Sequence, residues 1–291
     1  MKNLIKQTKN SLFMLTIAGI VVILFSACRK DCYDCDCNEY VTETVSITEQ
    51  IKGIIIEGPW NVSITQEDTD NSAVLKYCAC KKVKVTAQQL PNGYVKIKLT
   101  TRNVSIHHND FQATIKASFL EKIEGSGATT IRTYGHFCSF NEIELSGAST
   151  INGLSSEGHI AKIRLSGASS LKEFTFEGQK IDAILSGASI AKIDNLTVEN
   201  CTIDCSGASS FNGNGYAAKT SFNGSGASTL KTLDLESENL DIDLSGASSA
   251  EVAVNNTIKG NLAGASILKY KRAIDVSRVH VDASSRIIKL N

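Results

Sequence analysis

The chain has 291 residues, with 30 basic and 30 acidic side chains and therefore no formal net charge at neutral pH. Without a basic excess it has no electrostatic footprint for nucleic acid, and that class of partner is excluded. Two prolines and 42% apolar residues suit a chain able to build one long aliphatic core.

The first segment carries an address. Lys2, Lys6 and Lys9 precede the apolar stretch from Leu12 to Phe25, which is too short for an ordinary membrane span. The stretch ends in Leu24-Phe25-Ser26-Ala27-Cys28. This resembles a bacterial lipoprotein signal, in which small residues precede a cysteine that is lipidated and becomes the new N-terminus. Residues 1–27 are then removed and Cys28 holds the protein to the membrane, as an outer-membrane lipoprotein facing the periplasm or the cell surface. An ordinary secretory signal or an uncleaved anchor is the alternative, and each of these takes the chain out of the cytoplasm. Cleavage removes three lysines and no acids, which leaves 27 basic against 30 acidic side chains, a balance of −3.

Residues 28–40 have no apolar pattern and read as a cysteine-rich tether. Strand-like runs follow at Val41–Thr48, Gly53–Ile56, Asn61–Thr65, Ala73–Tyr77, Lys82–Thr86 and Tyr94–Leu99, with Pro91-Asn92-Gly93 as a hairpin turn between the last two. The segment Ile56 to Val62 mimics the turns found further on and reads as a degenerate first coil. Residues 41–122 are thus expected to form a β-rich N-terminal cap with irregular first coils, since a repeat stack needs its open end covered.

From residue 123 one phrase recurs eight times: an apolar residue, then Ser-Gly-Ala-Ser or a close variant. Its first residue falls at Ser126, Ser146, Ser166, Ser186, Ser206, Ser225, Ser245 and Ala263, at intervals of 20, 20, 20, 20, 19, 20 and 18. A fixed short period means that each unit buries its apolar side only by stacking on its neighbours. Counted from that residue, glycine is invariant at +1 and alanine at +2. Apolar rows stand at −3 (Ile123, Ile143, Ile163, Ala183, Ile203, Phe222, Ile242), at −1 and at +5, with a mostly polar row at −2. That alternation is a strand, with no helical period anywhere. The prediction for 123–291 is an all-β, right-handed parallel β-helix of about 20-residue coils, each adding about 4.8 Å. A stack of antiparallel hairpins would need two strong turns per unit, and only one recurs. The +2 alanine is expected at a corner where stacked coils leave little room.

The run Ile51-Lys52-Gly53-Ile54-Ile55-Ile56-Glu57-Gly58-Pro59-Trp60-Asn61-Val62-Ser63-Ile64-Thr65-Gln66, followed by these turns, resembles the "head GIN domain" family of "putative auto-transporter adhesins" over roughly residues 47–290. The resemblance implies a β-helical fold and a surface or periplasmic setting in a Gram-negative envelope, and it carries no catalytic residues to transfer.

Candidate chemistry is repetitive too. Hydroxyls fill the +3 row from Thr129 to Ser266, and their direction is not set by the alternation because the turn interrupts it. The +4 row includes Thr150, Ser170, Ser210 and Thr229, and the +6 row includes Arg132, Lys172, Lys192, Lys231 and Lys269. Facing outward, these last two rows would form a hydroxyl strip edged with cations and Asn152 and Asn212, suited to a polysaccharide or a surface protein. The competing account is that small hydroxyls simply fit tight turns and bond backbone groups. An enzyme reading, a polysaccharide lyase or glycosidase on a β-helix, has Asp204 and Asp243 in one row with Asn223 between, and Asp241 beside Asp243. A plain spacer is the third reading.

Nine cysteines are present. With Cys28 lipidated, Cys32, Cys35, Cys37, Cys78 and Cys80 favour disulfides over zinc; Cys201 and Cys205 are too far apart along a strand to pair, and Cys205 reads as core. His107-His108-Asn109-Asp110 reads as a polar loop, and His136 and His159 fall at different coil positions. No cofactor motif occurs. The reading is a non-catalytic, lipid-anchored binding or structural module.

Overall fold

The structure, a computed structural model, describes residues 39–79, 82–101, 110–272 and 274–290, and the backbone of 33–34 and 104–105. The apolar stretch 12–25, Cys28, Cys32, Cys35, Cys37, Cys80 and His107 to Asn109 lie outside the described residues. No described helix is long and apolar enough to cross a membrane.

The front of the chain contributes β1 (Tyr33–Asp34), β2 (Tyr40–Thr44), β3 (Gly53–Glu57), β4 (Asn61–Gln66) and β5 (Ser72–Cys78). It continues with β6 (Val83–Gln89), β7 (Tyr94–Thr101), β8 (Val104–Ser105) and β9 (Phe111–Ala117). The repeats supply β10 (Lys122–Ser126), β11 (Thr130–Tyr134), β12 (His136–Phe137), β13 (Glu142–Leu145), β14 (Thr150–Asn152) and β15 (Ser155–Leu165). Then come the long strands β16 (Ser170–Leu185), β17 (Ile190–Cys205), β18 (Ser210–Gly224), β19 (Thr229–Leu244) and β20 (Ser249–Leu262). β21 (Ile267–Lys271), β22 (Asp275–Val281) and β23 (Arg286–Lys289) close the stack.

Each repeat pairs in parallel with the next at equivalent positions, Ile143 with Ile163 and Leu165 with Leu185, for example. This is the β-solenoid that the 20-residue period predicts. The −3, −1 and +5 rows fill its interior, and none of their side chains is more than 3% exposed. Within one coil the alternation of buried and exposed residues lapses at Lys172-Glu173 and again around Glu177–Lys180, so the coil has three sides. Deviations from the period are taken up at corners. The 19-residue interval loses its residue between Ile193 and Leu196, where the register slips against Gly213 and Gly215. The 18-residue interval corresponds to slips after Thr232 and after Ser237.

The turn glycines are required by geometry. Gly187 has φ near +71°, a left-handed conformation that other residues resist. The alanine beside it behaves differently from the expectation: the +2 row is exposed, and its N–H groups donate to the glycine carbonyl one coil back at 2.7 Å, as Ala188 does to Gly167. The tight place is the glycine, where a Cβ would meet backbone, and alanine sits outside it.

The front segment joins the stack out of order. β3 and β4 pair in parallel with β10 and β11, so residues 53–66 do form a coil, with Trp60 buried where the later coils place a hydroxyl. On its other side β3 and β4 pair with β7 and β9, which form a further coil. Antiparallel strands flank that end: β6 pairs with β7 through a turn at Gly93, and β2 and β5 extend β9. Trp60 packs edge-on against Phe111 with centroids 5.6 Å apart, linking the two coils. Cys78 is buried and disulfide-bonded, whereas Cys138, Cys201 and Cys205 are free thiols.

Candidate functional site

The hydroxyl rows divide between inside and outside. All eight +3 residues, Thr129, Ser149, Ser169, Ser189, Ser209, Ser228, Ser248 and Ser266, are at most 1% exposed. Ser149, Ser248 and Ser266 donate to carbonyls of their own turns, and Ser169, Ser189 and Ser209 to the −1 carbonyl of the coil before. For most of this row a small hydroxyl buried at a turn satisfies itself on backbone, while Ser228 donates to Ser248 Oγ at 3.2 Å.

The +4 and +6 rows face outward. Arg132, Lys172, Lys192 and Lys231 are exposed, Lys269 is half-buried, and Thr150, Ser210 and Thr229 are half-buried between them; Ser170 is nearly covered. Parallel pairing sets Arg132 beside Asn152 and Asn152 beside Lys172, then Lys192 beside Asn212, Asn212 beside Lys231 and Lys231 beside Glu251. Neighbours in such a row are about 4.8 Å apart. Lys192 pairs with Asp194 at 2.8 Å and Lys269 with Glu251 at 2.9 Å; Arg132, Lys172 and Lys231 make no ion pair among the described residues. The face is not flat. At the slipped corner Lys192, Asn212, Lys231, Asp194 and Asp234 line a depression of about 240 Å³. Nearer the front, Arg132, Tyr134, Ser63 and Gln112 line another of about 190 Å³.

A larger open groove, of about 370 Å³, lies on the side that precedes the turn. Its wall is the −2 row, where Ile184, Asp204, Asn223, Asp243 and Asn261 stand in register. Asn223 Nδ2 donates to Asp204 Oδ1 at 2.6 Å, and Asn261 Nδ2 to Asp243 Oδ1 at 2.7 Å. The two carboxylates are two coils apart, about 10 Å along the axis. Asp241, on the same strand, pairs with Lys259 at 3.0 Å.

Sequence reasoning missed one cluster. His136, Cys138 and Glu157 are exposed, and one ligand atom from each lies within 4.8 Å of the others. The 20-residue period sets Cys138 beside Gly158; the 19-residue offset of this short pairing, His136 with Ser155, brings Glu157 there instead. The Glu157 carboxylate accepts a hydrogen bond from the Cys138 thiol and raises its pKa.

The family model described as "Putative auto-transporter adhesin, head GIN domain" matches residues 51–273, which span both the front coils and the repeats. The chain belongs to the head GIN domain family. Solved structures show the same fold. A crystal structure described as a putative adhesin from Parabacteroides merdae ATCC 43184 aligns with a TM-score of 0.58 at 12% identity, covering 90% of this chain and 100% of that one. A putative adhesin from Parabacteroides distasonis ATCC 8503 gives 0.55 at 15% identity, covering 89% and 98%. A second Parabacteroides distasonis structure, described as a putative lipid binding protein, gives 0.55 at 14% identity, covering 90% and 100%. No curated protein matches. The resemblance read from Ile51 to Gln66 and the turns is therefore correct, and this head GIN domain is adhesin-like by family.

Proposed function

We propose that the protein is a lipid-anchored, non-catalytic binding module of the bacterial cell envelope. In this reading Cys28 holds it to the outer membrane and the solenoid presents its outward rows to polysaccharide. The observation that carries the proposal is the row Lys192–Asn212–Lys231, in register over a depression on a rigid stack. Cations and amides repeated at a fixed rise suit a polymer whose acidic and hydroxyl groups also repeat, so that many weak contacts add. The adhesin description of the family supports a surface or envelope setting.

The enzyme reading has a specific observation behind it, because Asp204 and Asp243 line the open groove of about 370 Å³. Two coils place their backbones about 10 Å apart, at the outer end of the roughly 5–9.5 Å that glycoside hydrolysis uses, and Asp204 is half-buried and Asp243 exposed, so neither is held in a dry pocket. The test is incubation of the protein with a panel of envelope and host polysaccharides, scoring retention and released fragments together. Retention without fragments supports the proposal. Fragment release that disappears in D204N or D243N replaces it with the enzyme, and retention of nothing replaces it with a spacer.

A further inference from the structure

We propose that His136, Cys138 and Glu157 form a surface binding site for a divalent transition ion of the zinc class. Imidazole nitrogen, thiolate sulfur and carboxylate oxygen are the donors that zinc takes, and three protein donors leave a fourth position for water or for a group on a partner. His136 Nε2 and Glu157 Oε2 are 3.7 Å apart. Two ligands at bond lengths of about 2 Å on one tetrahedral ion are separated by roughly 3.4 Å, so small rotations suffice.

The surroundings orient these donors. The other ring nitrogen, His136 Nδ1, lies 2.9 Å from Ser155 Oγ, and Thr175 Oγ1 donates to that same oxygen at 3.0 Å. A ring held at Nδ1 by an outer partner presents Nε2 to a metal, the arrangement found around histidine ligands generally. The backbone brings the segments that carry the other two together. Phe140 N–H donates to Glu157 O at 3.1 Å, and a Cβ on Gly158 would lie 2.7 Å from Phe140 O, so the coils meet closely beside Cys138. A cation is also wanted there on charge grounds. Glu177 is the register partner of Glu157 on the next coil, and like charges placed opposite each other repel.

The experiment uses the full mature chain, reduced, with Co²⁺ as a spectroscopic probe and Zn²⁺ in competition. The expected result is a thiolate-to-cobalt absorption band that is bleached by Zn²⁺ and absent in C138S. It should persist when Cys32, Cys35 and Cys37 are all changed to Ser. H136A and E157Q should weaken Zn²⁺ binding roughly tenfold or more, with far-UV circular dichroism unchanged because all three side chains are exposed. Absence of the band, its survival in C138S, or unchanged Zn²⁺ affinity in both H136A and E157Q would overturn the proposal.

Discussion

Gly187 lies directly over Gly167: a Cβ built on it would sit 2.6 Å from the Gly167 carbonyl oxygen. That oxygen also accepts the N–H of Ala188 at 2.7 Å. The glycine column is thus the line along which the coils touch through backbone alone, and the turn next to it is where the outward rows begin.

Gly187→Ala therefore suffers twice, from its positive φ and from the collision with Gly167 O. The expected loss is about 2 kcal/mol or more, read as a lowered urea midpoint. Ala188→Ser, at the exposed neighbour, should change stability by no more than about 0.5 kcal/mol. Equal effects from the two would contradict the stacking account.

Burial pushes the Cys201 thiol up to about 12 and the Cys205 thiol up to about 11, against an ordinary value of 9.0. The folded state disfavours thiolate, so its stability is fully present below pH 9 and falls above it as the unfolded chain ionises, through 11 and 12. Both thiols should resist alkylation at pH 8 until urea unfolds the chain, while the exposed Cys138 reacts in the native, metal-free protein. Native labelling of Cys201 at the rate of Cys138 would show that the core is open.

Asp282 caps the last turn. Its carboxylate accepts the N–H groups of Ser285 and Gly264, each at 2.8 Å, and further bonds from Ser284, which lower its pKa to about 2. A depressed pKa means support that is present above the ordinary value of 3.8 and lost as pH falls through about 2. Protection of the Gly264 amide, measured against its intrinsic exchange rate at each pH, should fall over that window, and D282A should show low protection already at neutral pH. An unchanged rate in D282A would remove the cap from the account.

If Cys28 carries the lipid, C28A should leave the membrane fraction and appear in the soluble fraction, and metabolic labelling with a fatty-acid analogue should be lost with it. Continued membrane association of an unlabelled C28A protein would favour an uncleaved anchor.

The fold was legible because the apolar rows repeat with the coil: Ile143, Ile163 and Ile203 lie at one register inside the stack. The +4 and +6 rows were legible as a candidate face for the same reason. The direction of Ser149 and Ser169 was not, because a turn residue has no strand phase to inherit. The out-of-order coil made by β7 and β9 was hidden as well, since pairing of Tyr94 with Gly53 depends on an excursion through antiparallel strands. Glu157 and Cys138 meet only through the register slip between coils, which single-residue spacing does not display.

Binding through the outward cationic row is measured directly as affinity for a polysaccharide retained by the wild type, compared with K172E/K192E/K231E at fixed salt. These side chains are exposed, so the variant should fold normally. The expected result is a loss of tenfold or more, together with a weaker salt dependence. Unchanged affinity, or retention that instead fails in D204N/D243N, would contradict it.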